Sequence, residues 1–176
     1  MYARASKMES LPVVSLQTGE AVAWIRRPVV DIATLQIVAF QCDAGNHKQP
    51  LILVAGDIRQ LAGDCVIVDS EEELAEPDDI VRLRALIKTS YDPLNKAVVS
   101  DIGRKLGTVE DYNINLASSR IEKLYLKQPL LRAWFGPNLI IDRTQIIDVT
   151  PQHIIIRDTT VENPVVQPDA MPEVHP

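Results

Sequence analysis

The chain has 176 residues, 18 Lys and Arg against 24 Asp and Glu, and a net charge of −6. That length suits one large or two small domains, and that charge argues against a nucleic-acid backbone as the main partner, which clustered Lys and Arg would have to hold. Hydrophobic residues make up 46% but aromatics only 5%, so a core must rest on Ile, Val and Leu, a set rich in the β-branched residues that suit strands.

Residues 1–10 lack the apolar run of a signal peptide and read as a flexible lead-in. No stretch approaches the ~20 apolar residues of a membrane span, so the expected location is the cytoplasm. A strand is expected over residues 12–16, a turn through Gly19, and a second strand over 21–27 that Pro28 and Asp31 end. Residues 34–41 mix alternation with an apolar run, as a strand between two layers does. A hairpin-type loop over 43–48 leads to a strand over 50–54. Gly63 and Asp64 then join short strands over 58–61 and 65–69.

The middle of the chain reads differently. Ser70 followed by Glu71, Glu72 and Glu73 is a capping-box pattern. Over residues 78–88 the spacing predicts a helix with Ile80, Leu83, Leu86 and Ile87 on one face. Asp78 and Asp79 stand at its start and Lys88 at its end, as the helix dipole prefers. Strands resume over 97–100, then along 105–115 after a turn at Gly103. Residues 120–127 alternate with one irregularity that suggests a bulge. An insertion follows over 130–136, then closing strands over 139–141, 145–149 and 153–157. Residues 159–176 carry Pro164, Pro168, Pro172 and Pro176 with little to bury, and are expected to be disordered.

Residues 58–70 align without a gap on 146–158, and 18–25 on 102–109, at offsets of 88 and 84 residues. A period that long points to a duplicated small domain rather than a solenoid. The expected organisation is a flexible N-terminus (1–10), a first domain (11–70), a helical connector (71–95), a second domain (96–158) and a disordered tail (159–176).

The segment 101–111, with Gly103, Leu106, Gly107, Val109 and then Glu110 and Asp111, resembles the opening signature of the PRC-barrel family. The family's second mark, a short Ile-bearing strand, a turn and a Val/Ile-rich strand, appears at 145–157 and again at 58–69. In the first copy Ala23 replaces the second glycine, and Arg26 and Arg27 replace Glu110 and Asp111. The resemblance implies a mainly β fold: two tandem small PRC-type β-barrels of about 80 residues each, near the lower size limit for one core, related by the internal repeat and joined by a short helical connector. It also implies a non-catalytic protein–protein interaction module, an adaptor or assembly factor, since the barrels of the reaction-centre H subunit and of a ribosome-maturation factor bind rather than catalyse. Within the signature, Gly103 suits a turn of positive φ, and Gly107 permits close approach of another backbone.

The chemistry-bearing residues are sparse. Cys42 and Cys65 read as free thiols without Cys-x-x-Cys spacing. His47, His153 and His175 show no metal-ligand spacing, no glycine-rich phosphate loop is present, and Ser118 and Ser119 have no nearby His. No catalytic residue, cofactor or metal is expected. Asp57 and Asp142 read as turn-closing acids. Glu110 and Asp111 are expected to meet Arg120 or Lys123 across a hairpin. The expected partner-binding residues are Leu131, Arg132, Trp134 and Phe135 in the insertion, which otherwise plugs a barrel, and Trp24, Arg26 and Arg27 in the first copy, because interface cores favour aromatics and Arg. The expected partner is a protein, with self-association as a further form. An RNA- or ribosome-associated role needs Arg26, Arg27, Arg59, Arg104 and Lys105 to gather on one face. An enzyme needs Asp142, Asp148 and His153 in one cleft.

Overall fold

The computed structural model describes residues 2–45, 47–89, 91–127 and 139–157. The fold is mainly β. In chain order the elements are β1 (Tyr2–Arg4), α1 (Ala5–Met8), β2 (Pro12–Ser15), β3 (Ala21–Asp31), β4 (Gln36–Asp43), β5 (Leu51–Val54), β6 (Gln60–Ala62), β7 (Cys65–Val68), β8 (Leu74–Ala75), α2 (Arg84–Thr89), β9 (Ala97–Ser100), β10 (Lys105–Asn115), β11 (Arg120–Lys127), β12 (Leu139–Asp142), β13 (Ile146–Val149) and β14 (His153–Ile156). They join in one sheet whose main path runs β13-β14-β9-β10-β11-β4-β3-β2-β7-β6 and is not closed on itself. Among the described residues no helix is long and apolar enough to cross a membrane.

The ladders on either side of the midpoint follow one scheme. β2 lies parallel to β7, with Val13 opposite Val66, and β9 lies parallel to β14, with Val98 opposite Ile154. β3 and β4 pair antiparallel with register shifts at Ile25/Arg27 and Val29/Val30; β10 and β11 shift at Val109/Asp111 and Asn113/Ile114. Positive φ falls at Leu35 (51°) in the first of these hairpins and at Ser119 (53°) in the second, and Gly19 and Gly103 take φ of 72° and 80° in the preceding turns. The two long hairpins meet near their tips. Gln36 is registered opposite Arg120, the Ile37 N–H donates to the Ser119 carbonyl (2.7 Å), and the Ile121 N–H donates to the Leu35 carbonyl (3.0 Å).

Inward residues of the alternating strands form one main apolar cluster that draws on both halves, including Ile25, Ile37 and Phe40 from the first and Tyr112, Ile114 and Ile121 from the second. A smaller cluster of Val29, Ala39 and Ile52 is covered by Leu83 with Ile80, Leu86 and Ile87, the apolar face expected of the connector. That connector is more than a helix: it holds short 3-10 turns at Glu71–Glu73 and Val81–Leu83 and the two-residue strand β8, which pairs with β5. The α-helix is confined to Arg84–Thr89. Asp78 does not lead it, because its carbonyl and carboxylate are engaged by the Arg84 guanidinium (2.8 and 3.7 Å). Ser70 caps the first 3-10 turn by accepting from the Glu72 N–H (3.3 Å).

Two further expectations change. Strand β3 does not stop at Pro28 but continues to Asp31, with Pro28 opposite Phe40. β2 pairs only with the stretch of β3 from Ala21 to Trp24, so among the described residues the outer edge of β3 at Pro28 carries no ladder and tolerates a residue without an N–H. Residues 2–8, expected to be a flexible lead-in, carry ordered structure: β1 pairs with β10, Tyr2 opposite Asn115, and Ala5 and Met8 are buried. The anchor is polar, which is why hydrophobic periodicity does not reveal it. The insertion and the C-terminal tail lie outside the described residues.

Candidate functional site

The two hairpin bulges place different chemistry at equivalent positions. A bulge sets two residues against one and breaks the alternation of side chains. On β3 it leaves Arg26 and Arg27 both exposed after the buried Ala23 and Ile25. On β10 it leaves Glu110 exposed and Asp111 buried. The Asp111 carboxylate accepts from the Ser6 hydroxyl (2.7 Å), the Ser6 N–H (3.2 Å) and the Tyr112 N–H (2.8 Å), and faces the Arg4 guanidinium at 3.5 Å. Arg4 in turn lies over the Tyr125 ring, 4.1 Å from its centroid. Asp111 therefore finds its partners in the N-terminal segment and not in Arg120 or Lys123, because the bulge rotates it away from the hairpin surface.

On the outer face of β3, Trp24 is 44% exposed. It is registered opposite Asp43, whose carboxylate pairs with Arg26 at 3.5 Å, both side chains being exposed. Trp24, Arg26 and Asp43 thus share a surface. Arg27 turns the other way, donating from Nε to Gln41 Oε1 (2.8 Å). Leu131, Arg132, Trp134 and Phe135 lie outside the described residues.

Where β3, the N-terminal turn and β10 come together, a cavity of about 290 Å³ opens, lined by Met8, Arg27, Phe40, Asp92, Tyr112 and Ile114 among others. Asp92 Oδ1 accepts from the Leu94 N–H (2.9 Å). Burial raises the Asp92 pKa above 3.8; the Leu94 hydrogen bond, Arg27 and Lys96 act against the rise and Glu9 adds to it. The Tyr91 and Tyr112 hydroxyls are buried without a hydrogen-bond partner among the described residues. Burial, reinforced by Asp92, pushes Tyr91 to about 12 and Tyr112 well above its usual value of 10.0. Both phenols are therefore neutral donors beside an acid whose ionisation is resisted.

Because the folded state holds the Asp92 proton more tightly than the unfolded chain does, stability conferred at this site falls as pH rises from about 3.8 through the raised folded value. Asp92→Asn keeps the acceptor for Leu94 and removes the charge. Its urea midpoint is expected to exceed that of the parent at pH 7 and to match it at pH 3.5; a lower midpoint at pH 7 refutes the assignment.

The remaining expected residues do not converge. Arg59 faces Asp69 (2.6 Å) and Arg26 faces Asp43 in exposed pairs, while Arg104 and Lys105 stand at the turn into β10 in the other half. Asp142 caps the short turn Arg143–Gln145 in a full capping box, as a turn-closing acid does, and its bonds from the Thr144 N–H and hydroxyl lower its pKa. Asp148 lines a groove with Arg143 and Thr34 that includes neither Asp142 nor His153, so the three-residue cleft is not assembled. Among the described residues no group of three or more His, Cys, Asp or Glu is placed to hold a metal ion. Cys42 and Cys65 are free thiols, and burial pushes Cys42 to about 12, which keeps it protonated and unreactive. Sequence reasoning missed Met8, Asp92 and Tyr112; only the alternation of Tyr112 with Ile114 marks the latter as inward. Compared with known proteins, the chain matches no family model and no curated protein.

Proposed function

We propose that this chain is a tandem duplication of a PRC-type barrel unit serving as a non-catalytic protein-interaction module in the cytoplasm, an adaptor or assembly factor. The observation that carries the reading is Trp24, a large aromatic left 44% exposed on a rigid strand beside the Arg26–Asp43 pair. Interface anchors are drawn from Trp, Tyr and Arg, and strands hold them without an ordering cost on binding. The duplication is supported by the shared ladder scheme of β2–β7 and β9–β14, including bulges and positive-φ residues at the 84-residue offset seen in the sequence.

The test is capture from native cytosol with the parent chain, Trp24→Ala and Trp134→Ala, half of each sample treated with nuclease. A specific protein partner should survive nuclease and weaken about 30-fold in Trp24→Ala, as expected for an anchor worth ~2 kcal/mol, with thermal unfolding unchanged. Equal capture by both variants rejects an aromatic anchor, and capture abolished by nuclease replaces the adaptor with an RNA-associated role.

A further inference from the structure

Two clefts flank the contact between the hairpin tips, and their linings correspond position by position. In one, Ala55, Ile58, Arg59, Gln60 and Leu61 face Leu116, Ala117 and Ser119 of the β10–β11 turn. In the other, Arg143, Ile146, Ile147, Asp148 and Val149 face Ile32, Ala33 and Leu35 of the β3–β4 turn. Their chemistry has diverged. Arg143 bridges the second cleft, donating to the carbonyls of Thr34 and, at 3.4 Å, Ile121, and Asp148 adds a charge to that lining. In the first cleft Ala55 stands in place of Arg143 and Gln60 in place of Asp148, so neither the bridge nor the acid is present.

The first cleft, of about 230 Å³ against about 340 Å³ for its twin, differs in running inward to Met8, Ile37, Phe40, Val66 and Ile114. Among the described residues its only charged lining residue is Arg59, at the position of Ile147 in the twin. Arg59 is bonded through Nη1 to Asp69, with both side chains 61% exposed. An exposed pair of this kind is weak and screened, and a guanidinium has five donors in a fork suited to carboxylates. Among the described residues the lining itself holds no carboxylate, and Asp69 is already engaged by Arg59, so the cleft favours a carboxylate over an amine.

We propose that this cleft binds a small monocarboxylic acid with an apolar body, the hydrocarbon lying against the floor of Met8, Phe40 and Ile114 and the carboxylate resting on Arg59. Apolar cavities stay dry and take apolar molecules, and a ligand restores the contacts that the walls otherwise lack. The single cation at the mouth sets the polarity of the head group. The site is separate from the Trp24 face, so it stands or falls independently of the adaptor reading.

The probes are octanoate, octanol and octylamine, each below its micelle concentration, followed by thermal shift and by the Met8 methyl resonance. Octanoate is expected to raise Tm and shift the Met8 methyl in a saturable way, and to bind at least tenfold more tightly than octylamine. Arg59→Gln, a change at an exposed side chain, should weaken octanoate about tenfold and erase its advantage over octanol. Ala55→Arg should lay a long side chain across the mouth of the cleft and weaken all three probes. Absence of a Met8 shift with octanoate, equal binding of octylamine, or undiminished octanoate binding by Arg59→Gln each overturns the proposal. The Arg59→Gln result decides even where Ala55→Arg fails to fold.

Discussion

Gly107→Ala is expected to be the most damaging single substitution in the chain. A Cβ added there would stand 2.6 Å from the Lys127 carbonyl oxygen and 3.3 Å from its carbon. Both are backbone atoms of the paired strand β11, so no rotamer relieves the clash. β10 is held on its other side by β9, with Gly107 opposite Val98, so it cannot retreat without breaking a second ladder. Forcing extra volume into a packed site costs ~1–3 kcal/mol and more where the neighbour is rigid. At the top of that range, in a domain of this size, Tm falls by about 10 °C. Gly107 does not adopt positive φ, so the penalty is contact alone. A Tm within ~2 °C of the parent, measured by differential scanning calorimetry, would show that the strands can separate. Ala23, in the corresponding place on β3, carries its Cβ with no exposed surface, so the tight approach belongs to the second hairpin and not to the ladder scheme.

Asp111→Ala is expected to release the N-terminal segment and to cost ~2–3 kcal/mol. The carboxylate satisfies the Ser6 N–H and hydroxyl and the Tyr112 N–H at once, and hydrogen bonds to a charged group are worth ~1.5–3 kcal/mol each in isolation. Alanine leaves these donors without an acceptor and frees Arg4, whose exposure already makes its share of the lock small. The observable is amide exchange: Ala3 to Ser6 should lose protection while β10 and β11 keep theirs. Asp111→Asn, which retains an acceptor oxygen, should recover part of it. Protection unchanged in the alanine variant would mean that the β1 ladder alone anchors the segment.

Much of the strand framework is legible in the sequence because it is local. Val13, Ala23 and Ile25 alternate with polar or exposed neighbours, Gly19, Gly63 and Gly103 mark turns that do take positive φ, and the connector's Ile80, Leu83 and Leu86 face inward as their spacing dictates. Legibility ends where the partner is distant. The sequence marks the exchange of Arg26 and Arg27 for Glu110 and Asp111 but not its consequence, since Asp111 is buried by Ser6, 105 residues away. Pro28 reads as a strand breaker because composition does not show which edge of β3 lacks a ladder. The seam cavity and the two clefts arise from how the hairpin tips meet, and a period of two within a strand is silent about that contact. Trp24 is exposed, whereas Asp142 at the end of β12, Asp148 on β13 and His153 on β14, though close in sequence, are not drawn into one cleft.

The pairing of β1 with β10 also imposes an order on biosynthesis. Residues 2–4 leave the ribosome long before residues 113–115, against which they lie, have been polymerised. The first half can complete its parallel β2–β7 pairing from its own residues, but the N-terminal segment must wait for the second long hairpin. Ser6 and Met8 are thus made well before β10 and reach their final neighbours only after it, and until then the apolar surface that Met8 covers is open to whatever meets the nascent chain.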